Sequence, residues 1–170
     1  MTLSLARINA MDAAAFTDAL GFVFELSPWV VARAHAAGPF ATREALHEAM
    51  TTVLNAAPRD DRLALIRAHP ELAGKAAMAR ALTAESAGEQ AGAGLDRLSR
   101  DEYARFHDLN AAYAARFGFP FIICVRRHDK AAILAAMARR LGNDREAEID
   151  EAITQIGDIS RLRLFDAVTP

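Results

Sequence analysis

Apolar positions in this chain recur mainly at helical spacing. The clearest case is Ile149, Ile153, Ile156 and Ile159, which fall on one face of a helix at about 3.6 residues per turn. The punctuation between such stretches predicts a series of helices. Ser27-Pro28 reads as an N-cap followed by proline at the first helical position, with Gly38-Pro39 closing that segment. Thr42 opens a second helix that must end near Pro58, because an interior proline breaks the hydrogen-bond ladder. Residues 59–68 form a third, stopped at His69-Pro70. Ser86-Ala-Gly-Glu89 and Ser99 with Glu102 both have the spacing of a capping box. The Ser99 helix is expected to stop at Gly118. Asp129 caps another helix, ending near Gly142, and Asn143 begins the last.

Residues Phe119 to Val125 break the pattern. Seven β-branched, aromatic or otherwise apolar residues follow a helix stop and precede Arg126-Arg127. They predict a buried extended run. No other convincing strand is visible to pair with it, yet buried backbone N–H and C=O groups are nearly always satisfied. Either side chains and water bond this run, or a polar ligand does.

Composition agrees with helices. The chain has 170 residues, 39 of them alanine, the best helix former. Its length suits one domain with a core that needs neither disulfide nor metal. The expected fold is all-α, a single-domain helical bundle over residues 1–170 with one short extended apolar segment near residues 119–125. A formal net charge of −2 argues against nucleic acid and acidic membrane surfaces as partners. No apolar stretch is long enough to span a bilayer. The start lacks signal-peptide character, and the end, Val168-Thr169-Pro170, lacks a peroxisomal tripeptide. With a lone cysteine, Cys124, these features lead us to expect a cytoplasmic protein.

Several polar residues look out of place. His35, His47, His107 and His128 read as surface or capping histidines. His69 differs, because it ends an amphipathic helix and Pro70 fixes its backbone, so it can project into a cleft. Glu89 and the glycine-rich stretch after it could simply belong to a helix start; no phosphate loop or dinucleotide fingerprint is present. No histidine pair has zinc-ligand spacing, so no metal is expected. Arg163 falls within roughly 20° of Ile156 on the isoleucine face, whereas Arg161 points about 140° away. An inward arginine must meet a structural carboxylate or hold an anionic ligand.

These residues carry a family resemblance. The combination of Ala68-His69-Pro70-Glu71-Leu72, Leu82-Thr-Ala-Glu-Ser86-Ala-Gly-Glu89-Gln90, Phe117-Gly-Phe-Pro-Phe-Ile-Ile-Cys-Val-Arg126 and Leu162-Arg163-Leu164 resembles the OHCU decarboxylases. Phe24-Glu25-Leu26-Ser27-Pro28-Trp29 is similar to the family's opening, so the likeness covers most of the chain. The family's substrate is 2-oxo-4-hydroxy-4-carboxy-5-ureidoimidazoline, which it converts to (S)-allantoin and CO₂ as the last step from urate.

The resemblance implies an all-helical, homodimeric enzyme that uses no cofactor. His69 and Glu89 would be the acid–base pair and Arg163 would hold the substrate. Pro70, Ser86 and Gln90 would line the site, and the backbone of Phe121 and Ile123 would bind the substrate's amide groups. Three alternatives stay open on the sequence: a hydrolase of a ureido or cyclic amide compound, a ureide-sensing binding module, and a helical adaptor.

Overall fold

The computed structural model describes residues 2–74 and 82–170. Among them the fold is all-α, with nine α-helices and a two-stranded parallel pairing of β1 (Leu3–Ser4) with β2 (Val168–Thr169). Two compact units can be distinguished, one built from residues 1–65 with 156–170 and the other from residues 66–155.

In the first unit lie α1 (Leu5–Asn9), α2 (Ala13–Leu20), α3 (Trp29–Ala34) and α4 (Arg43–Ala56). It also holds most of α5 (Arg59–Ala68) and the end of the last helix. Its core includes Phe16, Leu20, Val30, Val31, Leu46, Met50 and Leu54, all essentially removed from water. Thr42 caps α4 by accepting the Ala45 N–H at 3.0 Å, as its position predicts. Pro28, not Ser27, stands immediately before α3, and that cap has no side-chain bond. Two features tie distant segments together. Asn9 exchanges two hydrogen bonds with the Phe40 backbone, at 2.9 and 2.8 Å. Arg43 donates to the carbonyls of Phe165 and Val168 at 3.3 and 2.9 Å. The latter satisfies carbonyls at a helix end that lack intrahelical donors.

In the second unit lie α6 (Ala84–Gly92), α7 (Arg100–Phe117) and α8 (Lys130–Arg140), with the first part of α9 (Arg145–Ala167). Ser99 and Glu102 form the expected capping box, and Gly118 ends α7 at φ +76°, a left-handed conformation that favours glycine. Asp129 caps α8 as predicted.

Three further expectations need correction. The capping residue of α6 is Thr83, whose side chain accepts the Ser86 N–H at 3.3 Å. Ser86 therefore sits inside the first turn. Asp144, one residue later than expected, accepts the Ala147 N–H at 2.8 Å and starts α9. Asn143 turns instead to Glu148. The extended run ends at Cys124, because Val125–Arg127 coil into a 3₁₀ turn.

Candidate active site

His69 follows the last residue of α5. Its N–H donates to the Ile66 carbonyl at 3.2 Å, closing the final turn, and Pro70 prevents the helix from continuing. The residue is 8% exposed. It lines an open cleft of about 420 Å³ with Arg67, Glu71, Ala114, Gly118, Phe119 and Pro120. Thus the histidine pinned by proline and the start of the apolar run share one concavity. Arg67 helps to set that border by donating to the Gly118 carbonyl at 3.2 Å.

Ser86, Glu89 and Gln90 stand at positions i, i+3 and i+4 of α6, a spacing that places them on one face. Ser86 and Gln90 are buried and Glu89 is half-buried. Gln90 has a clear local task. Its Oε1 accepts the Ala73 N–H at 3.0 Å and its Nε2 donates to the Glu71 carbonyl at 3.4 Å. Ala73 has φ +51°, a conformation costly for a residue with a Cβ, so the turn after Pro70 needs this support. Asn110 of α7 adds to it, donating to the Leu72 carbonyl at 2.8 Å. Gln90 and Asn110 therefore tether the loop that follows His69-Pro70, one from α6 and one from α7.

Side chains satisfy part of the extended run. Arg140 donates through Nη1 to the Ile122 carbonyl at 2.8 Å, and Gln155 Oε1 accepts the Cys124 N–H at 2.9 Å. No local sequence pattern points to either partner. Arg140 belongs to a buried cluster: its guanidinium pairs with Glu148 at 2.9 Å and lies 4.3 Å from the centre of the Phe121 ring. Glu148 also accepts hydrogen bonds from the Tyr113 hydroxyl and from Asn143. Burial opposes ionisation of Glu148 more than any single contact favours it. The bonds from Arg140, Tyr113 and Asn143 together still hold its carboxyl below the usual range. Burial, then the hydrogen bond to Glu148, pushes the Tyr113 phenol well up, so it remains a donor.

In the other unit, Arg163 faces inward as the isoleucine spacing predicts, at 5% exposure, while the Arg161 side chain is 40% exposed. Arg163 Nη1 donates to Glu25 Oε2 at 3.0 Å and to the Phe22 carbonyl at 3.3 Å. The structural carboxylate that an inward arginine can meet is therefore present, supplied by Glu25, which no local pattern marks for the role. His47 also departs from expectation, being neither a surface nor a capping group. Its Nε2 lies 3.1 Å from the Gly157 carbonyl and 3.0 Å from Ser160 Oγ. Burial is the main reason its pKa falls below the usual histidine value. Among the described residues no cluster of histidine, cysteine and carboxylate groups has metal-binding geometry, and no helix is long and apolar enough to cross a membrane.

The sequence model of OHCU decarboxylase matches residues 9–165. The chain belongs to the OHCU decarboxylase family. A 2-oxo-4-hydroxy-4-carboxy-5-ureidoimidazoline decarboxylase from Haloferax volcanii is 41% identical over 96% of this chain and 95% of its own length. The uric acid degradation bifunctional protein PucL of Bacillus subtilis is also 41% identical, over 95% of this chain but only 32% of its own. A crystal structure of (S)-allantoin synthase superposes with a TM-score of 0.76 at 28% identity, covering 98% of this chain and 54% of that one. The family match runs continuously through residues of both units.

Proposed function

We propose that the chain decarboxylates 2-oxo-4-hydroxy-4-carboxy-5-ureidoimidazoline to (S)-allantoin and CO₂, completing the route from urate to allantoin. The observation that carries this reading is the cleft in which a buried, proline-fixed His69 borders the non-helical apolar run. A family relationship extending over nearly the whole chain supports it.

The substrate bears a hydroxyl and a carboxylate on one ring carbon, beside a carbon–nitrogen double bond. When the bond to the carboxylate breaks, its electron pair moves into the ring and the adjacent C=N accepts it. The ring nitrogen that received the pair takes up a proton, proton delivery to the neighbouring carbon sets the stereocentre, and the hydroxyl gives up its own proton to become the product carbonyl. One proton is consumed overall. The ring itself stores the electrons, so the protein's task is orientation, charge stabilisation and delivery of a proton to one face.

In this reading His69, oriented by Glu89, bonds the ring hydroxyl and moves the proton. Pro70, Ser86 and Gln90 line the site, and backbone groups of Phe121 and Ile123 bind the ureido or ring amides. Arg163 orients the anionic substrate. Its pairing with Glu25 suits that role, because a full positive charge on the reacting carboxylate would stabilise the ground state and slow the reaction. We read residues 1–170 as one catalytic domain, active without a cofactor as a cytoplasmic homodimer.

Product analysis distinguishes this reaction from hydrolysis. Supplied with freshly generated substrate, the purified protein should release one CO₂ per allantoin and no ammonia. Ammonia release without CO₂ would establish a hydrolase. Calorimetric binding of allantoin with no change in substrate decay would establish a sensor.

A further inference from the structure

In an extended chain the N–H and C=O of one residue point to the same edge, and those of the next residue point to the opposite edge. Residues 120–124 form neither helix nor turn, and read as extended they put Ile122 and Cys124 on one edge of the run and Phe121 and Ile123 on the other. The first edge is taken by protein side chains, through the bonds of Arg140 to the Ile122 carbonyl and of Gln155 to the Cys124 N–H. A slip of one residue would exchange the two edges and turn every side chain over.

We infer that Arg140 and Gln155 are positioning residues for the substrate. By occupying the Ile122 and Cys124 edge they set the phase of the run, which directs the backbone groups of Phe121 and Ile123 toward the ligand. The inference rests on the proposed role of those two backbone segments. The supports are themselves braced. Arg140 is held by the fully buried Glu148, which also accepts from Tyr113 and Asn143, and its guanidinium lies over the Phe121 ring. One side chain thus holds both the Phe121 ring and the Ile122 carbonyl. Gln155 is oriented from its own helix, since its Nε2 donates to Glu151 Oε1 at 3.0 Å. That bond leaves Oε1, the acceptor, directed at Cys124. A buried ion pair contributes little net stability on average, so conformational specificity is a more fitting task for this cluster.

Gln155 provides the cleaner test because it is half-buried and lies outside the ion-pair cluster. Gln155→Lys removes the acceptor, while the new ammonium can pair with Glu151 one turn earlier and preserve the helix. The KM for the ureidoimidazoline should rise about tenfold, the equivalent of one hydrogen bond, with kcat within about twofold. The exchanged pair Glu151→Gln with Gln155→Glu restores an acceptor facing Cys124 and should bring KM back to within about twofold of the parent. If Gln155→Lys fails to fold, Gln155→Leu is used with the same expectation. A parental KM in the variant lacking the acceptor, or no rescue by the exchanged pair, overturns the inference. In either case turnover by the parent enzyme shows that the proposed function itself stands. A parent that releases no CO₂ from this substrate overturns that function, and this inference with it.

Discussion

Arg163 and Glu25 show how much a single pair of residues must reconcile. Both side chains are almost wholly buried, and their ion pair spans 3.0 Å. Replacing Arg163 by methionine takes the arginine away from a buried carboxylate and should cost about 3–5 kcal/mol in urea unfolding. Adding Glu25→Leu should recover most of that loss, since a buried pair is often replaceable by apolar residues of similar volume. Activity should be absent from both variants. A stable double variant with parental CO₂ release would confine Arg163 to structure.

His47 and Glu148 determine the acid side of the stability profile. Each has a pKa lowered in the folded state, so the unfolded chain takes up the proton first. The contribution of His47 is complete above its unfolded value of 6.5 and is lost as pH falls from there through its folded value. That of Glu148 is complete above 4.5 and is lost in the same way at lower pH. Unfolding free energies between pH 7 and about pH 2 should therefore decline in two stages. His47→Gln should flatten the first stage and leave the second.

At the scale of elements, local chemistry is the most readable layer. Thr42, Ser99 and Asp129 cap helices because a short oxygen-bearing side chain reaches an N–H two or three residues ahead, which a sequence displays directly. Ser99→Ala should cost about 1 kcal/mol in thermal or urea unfolding. Ser86 misled for the same reason. Thr83, three residues earlier, competes for the cap and wins it. The apolar run was legible as a departure from helix, and one of its two possible ways of satisfying the backbone was side-chain bonding. The particular donors were not legible. Arg140 lies 18 residues from Ile122 and Gln155 lies 31 from Cys124, and no local pattern encodes such pairings. Arg140 continues the inward spacing of Ile133 and Met137, but as part of Arg139-Arg140 it reads as a helix-end pair.

For the molecule as a whole, alanine content and helical periodicity were enough to specify an all-α fold. The β1–β2 pairing was invisible, because two residues at each end carry no periodic signal. Among the candidate residues, His69 and Arg163 stand out from their positions alone: one at a proline-stopped helix end, the other on an isoleucine face. Glu25, whose pairing spans 138 residues, needed the fold. We read the assembly as a homodimer, so sedimentation equilibrium at micromolar concentration should give about twice the chain mass of 18.4 kDa.

The central claim is that His69 delivers a proton to one face of a substrate that can also lose CO₂ unaided. Product handedness therefore tests it more directly than rate. With freshly generated ureidoimidazoline, circular dichroism of the allantoin should show the (S) enantiomer from the parent enzyme and a racemate from His69→Ala. A His69→Ala enzyme that still forms (S)-allantoin at the parental rate would contradict the account.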